Sequence, residues 1–148
     1  MPDKKVLIVD FDLRTVETIV RLLQPYGVRT ETASDGLTAW EKYQLDKPDL
    51  VVLEAILPKL HGFDLTKRIV QDSQGTVPVI IITGLYRGPQ YRHEALTSFG
   101  AAEYFEKPLD EVRFLDCALG LLKERIDIRL DLPTLDEIVD FLKKKAAE

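Results

Sequence analysis

Asp10, Asp12, Glu54, Thr83 and Lys107 are the residues in this chain best placed to act together, because each closes or follows a short apolar run. The text reads VLIVDFD through Asp12, LVVLE through Glu54, VIIITG through Gly84 and YFEKP through Pro108. Runs of this kind are the buried strands of a parallel sheet, and in an open sheet ligands gather beyond the carboxyl ends of the strands. Carboxylates, a hydroxyl and an ammonium would therefore meet in one crevice, able to hold a small polar ligand or to pair charges. Taken singly, each is a polar residue that ends a strand where water begins. Asp10, Glu54, Thr83 and Lys107, each at a strand end and in the right order, argue for a site.

The elements that must position these groups alternate along the chain. Apolar or β-branched runs at 6–9, 28–32, 50–53, 77–82 and 102–105 predict five strands. Between them lie helical patterns. Val16, Ile19, Val20 and Leu23 fall at i, i+3, i+4 and i+7, with Asp12 or Thr15 as cap and Pro25 and Gly27 as stop. Leu37, Trp40 and Tyr43 predict the inward stripe of a second helix, and Leu65 and Ile69 that of a third over 62–72. A fourth helix is expected over 90–99 and a fifth over 109–124. Strand and helix alternating five times predict an α/β fold, a doubly wound five-stranded parallel sheet joined by right-handed crossovers.

After residue 126 the pattern changes. Thr134-Leu135-Asp136-Glu137 has the form of a capping box, and Leu135, Ile138, Val139 and Leu142 repeat the helical spacing. The expected organisation is one domain over 1–126 and an extension over 127–148 with one amphipathic helix over 135–145. That helix is expected to pack on its own domain; the sharper alternative is contact with a partner or a second copy.

Composition excludes several classes. With 45% apolar and 30% charged residues the chain is an ordinary globular one, and a net charge of −5 argues against a general nucleic-acid surface. No apolar run reaches the roughly 20 residues that span a bilayer. The opening MPDKKVLIVDFD lacks the apolar stretch of a signal peptide, and the single Cys117 permits no internal disulfide, so a cytoplasmic location is expected. Leu115, Ala118 and Leu119 around Cys117 read as a buried structural thiol. His61 and His93 have no second histidine or cysteine at ligand spacing, so no metal site is expected on them.

VLIVDFD at 6–12, PDLVVLEAILPKLHG at 48–62, VPVIIITG at 77–84 and GAAEYFEKP at 100–108 resemble the receiver domain of two-component response regulators (CheY-like), over residues 4–125. The resemblance implies a flavodoxin-like sheet of strand order 2-1-3-4-5, here with an extra C-terminal helix. In that family two acidic residues after the first strand and an aspartate ending the third hold Mg²⁺, and that aspartate takes a phosphoryl group from a histidine kinase. Position by position, Asp10 matches the first acidic residue, Thr83 the hydroxyl and Lys107 the lysine that bind phosphoryl oxygens, and Tyr104 the switching aromatic. Pro58 and Gly62 match the loop and helix start after the third strand. The Lys107-Pro108 bond is usually cis in the family.

Two positions depart from the pattern. Glu54 occupies the acceptor position, and Phe11 that of the second acidic residue. Phe offers no oxygen to Mg²⁺, and Asp12, the next carboxylate, follows the strand and is a poor replacement. Glu carries its carboxylate about 1.5 Å farther out than Asp. Misplacement by about an ångström can cost on the order of a hundredfold in phosphoryl transfer. The expectation is loss of both Mg²⁺ binding and phosphorylation, with no cofactor. Glu54 is instead expected to reach Lys107, with Thr83 donating as well. Two outcomes stay open: a domain held in an active-like state, or a structural pair.

The segment from Gly84 to His93 carries two Tyr, two Arg and one His. It is either a solvated loop or, on the face between the fourth and fifth strands, part of a protein-binding surface. The resulting reading is an atypical receiver that works without phosphate, through protein–protein contact or a homodimer. The alternatives are a phosphorylatable receiver with an altered metal site, and a small-ligand binder or enzyme in the same crevice. Against the last, Asp12-Leu13-Arg14-Thr15 is no Gly-rich phosphate loop, and no Ser/His/Asp or Cys/His set is present.

Overall fold

The structure is a computed structural model that describes residues 1–130 and 135–147. Five parallel strands, β1 (Lys5–Val9), β2 (Arg29–Ala33), β3 (Leu50–Glu54), β4 (Val79–Thr83) and β5 (Glu103–Glu106), form one sheet in the order β2-β1-β3-β4-β5. This is the predicted strand order. The helices are α1 (Leu13–Leu23), α2 (Gly36–Leu45), α3 (Gly62–Ser73), α4 (Pro89–Thr97), α5 (Glu111–Leu130) and α6 (Leu135–Ala147). A single 3-10 turn, Gln24–Tyr26, follows α1 at Pro25.

Because successive strand side chains point to opposite faces, each apolar run serves two cores. Leu7, Val9, Val51, Leu53, Val79 and Ile81 face Tyr43 of α2, Leu65 and Ile69 of α3 and Ala95 of α4. Val6, Ile8, Leu50, Val52, Ile80 and Ile82 face Val16 and Ile19 of α1 and Phe114, Ala118 and Leu122 of α5. The central strands β1, β3 and β4 are buried along their whole length, which is why they contain no polar alternation.

The helices differ from expectation in detail. Leu37, expected inward on α2, is exposed; Gly36, Ala39 and Tyr43 form the buried stripe, with Trp40 partly covered. The reason is the approach at Gly36, where a Cβ would overlap the Leu60 carbonyl group, so the helix turns its glycine to the loop after β3. Asp12 rather than Thr15 caps α1, accepting from the Arg14 N–H at 3.0 Å. α5 continues past the expected end at 124 to Leu130. Thr134 lies outside the described residues. Val139, Phe141 and Leu142 of α6 are exposed. Cys117 is half-buried against the α1–α5 core. Among the described residues no helix is long and apolar enough to cross a membrane.

Candidate functional site

The crevice lies at the carboxyl ends of β1, β3, β4 and β5, and the backbone fixes each contributor. The Asp10 N–H bonds the Ala33 carbonyl, carrying the β1–β2 ladder one residue past Val9. Glu54 ends β3 opposite Ile82, and the loop behind it is pinned by the Gly62 N–H on the Ala55 carbonyl at 2.8 Å. A Cβ on Gly62 would overlap the Glu54 carbonyl oxygen and the Ala55 backbone, so only glycine permits α3 to start this close to β3. Thr83 ends β4 opposite Glu106, and the Lys107 N–H bonds the Thr83 carbonyl at 2.8 Å. The Lys107-Pro108 bond is cis.

Three of the expected residues meet at the lysine. Lys107 Nζ lies 2.9 Å from Asp10 Oδ2 and 3.3 Å from Glu54 Oε1, while both carboxylates are almost wholly buried. The second oxygen of each accepts a backbone N–H: Asp10 Oδ1 from Asp12 at 2.9 Å, Glu54 Oε2 from Ile56 at 3.3 Å. Burial pushes the Asp10 carboxyl upward; the Asp12 N–H and Lys107 offset this only in part, and the Glu54 charge adds to it. Burial by itself would lower the Lys107 ammonium, but Asp10 and then Glu54 outweigh it and hold the lysine above its ordinary value.

The other named residues are placed elsewhere. Asp12 turns its carboxylate to the first turn of α1 as cap, and the Phe11 side chain is 54% exposed. Thr83 is buried, and its Oγ1 accepts from the Leu85 and Tyr86 N–H groups at 3.2 and 3.4 Å. No hydrogen bond joins Thr83 to Glu54 among the described residues, so the donation expected from Thr83 is not formed. Tyr104 is buried, with its hydroxyl 2.5 Å from the Tyr86 carbonyl oxygen. Burial first, then the Glu106 and Glu54 charges, push its phenol upward. As donors for a cation, the crevice offers Asp10 and Glu54, each with one oxygen on Lys107 and the other on a backbone N–H.

Sequence reasoning missed the role of His61. Its Nδ1 accepts the Phe63 N–H at 3.1 Å, making it the cap of α3, and its ring stacks on Tyr86. Tyr86 in turn stacks on Tyr91 at 5.0 Å, and Phe63 on Phe99 at 5.0 Å. The two tyrosines of the segment after β4 therefore serve an aromatic cluster rather than standing free. The available signal was His61 two residues before Phe63, directly ahead of a helical pattern. Also unforeseen is a groove of about 450 Å³ along β5, between the starts of α4 and α5, lined by Arg92, Glu103, Glu106, Asp110 and Arg113 among others.

Comparison with known proteins agrees with this architecture. The response regulator receiver domain family matches residues 6–118. Over 106 residues the chain is 33% identical to the alkaline phosphatase synthesis transcriptional regulatory protein PhoP of Bacillus subtilis, a match covering 72% of this chain and 43% of that one. Over 145 residues it is 28% identical to the probable transcriptional regulatory protein SilR of Salmonella typhimurium, covering 97% of this chain and 62% of that one. In each case the match spans less than two thirds of the relative. Among solved structures it resembles the receiver domain of the Francisella response regulator 1452, with TM-score 0.74, 27% identity and coverage of 82% and 98% of the two chains. It equally resembles the signal receiver domain of an HD domain-containing protein from Pseudomonas fluorescens, with TM-score 0.75, 25% identity and coverage of 84% and 98%. Domains of this family are signalling modules, not enzymes, and ordinarily bind Mg²⁺. By its sequence match and its sheet, the chain belongs to the response regulator receiver family.

Proposed function

We propose that this chain is an atypical receiver in two-component-type signalling, with Glu54 in the phosphoacceptor position, that acts through protein contact without being phosphorylated. The observation that carries this reading is the Lys107 ammonium held between Asp10 and Glu54. The lysine that would meet a phosphoryl group already neutralises two buried carboxylates. Mg²⁺ needs six oxygen ligands in near-octahedral array. Phe11 contributes none, and the Asp12 carboxylate is occupied as a cap. Waters can fill several of the six places, but the two carboxylates left, Asp10 and Glu54, each spend one oxygen on Lys107 and the other on a backbone N–H, so the residues present do not fit the cation. Because Glu54 shares its cation with Asp10, its charge serves a structural pair rather than standing free as a phosphoryl mimic.

A scaffold of this kind works by its surface. The groove along β5, with its exposed Arg92 and Arg113, is the contact region we assign to a protein partner, with α6 as a second contact.

The test is intact-mass measurement of the full chain after incubation with acetyl phosphate and Mg²⁺. No phosphoryl adduct is expected. An adduct on the wild type that disappears in Glu54→Ala, or in Asp12→Ala, would establish the phosphorylatable alternative instead.

A further inference from the structure

We propose that His61 is a proton-operated latch that couples the start of α3 to the loop after β4. This goes beyond the reading of the phosphate site and does not depend on it. The Phe63 amide sits at the second position of α3, where no carbonyl within the helix can accept it, and His61 Nδ1 takes it. An accepting Nδ1 carries no proton, so the proton of the neutral ring is on Nε2. That nitrogen faces the Tyr86 hydroxyl oxygen at 3.4 Å, and the two rings stack with centroids 5.8 Å apart.

Tyr86 is the joint of the loop. Its N–H reaches Thr83 Oγ1, its carbonyl accepts the Tyr104 hydroxyl, and its ring lies between His61 and Tyr91. A second proton on His61 would set an Nδ1–H against the Phe63 N–H, donor against donor, with a cation at the positive end of α3. The ring must then swing out, and Tyr86 loses the His61 face and its Nε2 partner while keeping Phe63 and Tyr91 as ring neighbours. Tyr86 and, behind it, Tyr91 are the titratable groups set against the imidazole from the loop and from α4. On its own segment stand Lys59 and Asp64; Asp64 is exposed in the first turn of α3, where water and salt screen it. Acid therefore releases the loop after β4, and with it the purchase of Tyr104 on the Tyr86 carbonyl.

The experiment is a ¹H–¹⁵N NMR titration of the full chain from pH 8 to pH 5, the span over which histidines change charge. The Phe63 and Tyr86 amides and the Tyr104 ring are expected to shift with one midpoint, that of the His61 ring proton. Protection of the Phe63 amide against exchange falls about fivefold on the acid side, as for loss of one cap bond. In His61→Asn, whose side-chain oxygen still caps but does not titrate, all three signals hold still; in His93→Gln they move as in the wild type. The latch is overturned if Tyr86 and Tyr104 do not follow His61, if only Phe63 does, or if the shifts persist in His61→Asn.

Discussion

Lys107→Met should expose how the crevice is held. The substitution keeps most of the side-chain volume and removes the ammonium, leaving Asp10 and Glu54 facing each other in a site where their side chains are 3% and 5% exposed. Removing one partner of a buried ion pair typically costs about 3–5 kcal/mol, because the remaining charge is uncompensated. Lys107 itself is 21% exposed, so water can take part of its place and the lower end, about 3 kcal/mol at pH 7, applies. For a chain of this size that lowers Tm by roughly 6–12 °C. The loss depends on pH with a definite sign. Asp10 is already raised by burial, and removing Lys107 raises it further. A carboxyl raised in the folded state contributes stability below its unfolded value near 3.9, and that stability is lost as pH rises through the folded value. Lys107→Met should therefore be nearer the wild type at pH 4 than at pH 7. Urea unfolding at both pH values measures this, and adding Glu54→Gln should recover part of the loss at pH 7. A loss below about 1 kcal/mol that is the same at both pH values would refute the ion-pair account.

Three further outcomes follow from single contacts. Asp12→Ala removes the α1 cap and should cost about 1 kcal/mol in urea unfolding, with the Lys107 side-chain NMR signals unmoved. Tyr104→Phe loses the bond to the Tyr86 carbonyl and should cost about 1 kcal/mol, with faster amide exchange confined to the loop after β4. Gly62→Ala drives a Cβ into the Glu54–Ala55 backbone and should cost at least 2 kcal/mol by thermal unfolding, more than any surface substitution on α3.

The sheet was legible in the sequence because β1, β3 and β4 are covered on both faces and so are written as unbroken apolar runs. β5 was shifted by one residue, from 102–105 to Glu103–Glu106, since an edge strand alternates polar and apolar residues and the register to β4 sets its limits. α5 was expected to stop at 124, but between that position and Pro133 the sequence holds no glycine or proline to end it. Of the crevice, Asp10, Glu54 and Lys107 could be grouped because each closes or follows a strand, although Asp10 and Lys107 stand 97 positions apart. The aim of Asp12 could not be read, since a carboxylate beside both a crevice and a helix start suits either. The aromatic cluster was hidden for another reason: His61 meets Tyr86 across 25 positions, and local spacing carries no record of such pairing.

The outward-facing Phe11 has a consequence for how such a domain changes over generations. On the function proposed above, Glu54→Asp alone returns an acceptor without its full set of cation ligands. A carboxylate at position 11 alone returns a ligand beside an acceptor of the wrong length. On that reading neither substitution alone is expected to restore phosphate uptake, and only the two together would supply both an acceptor of the right length and the further carboxylate.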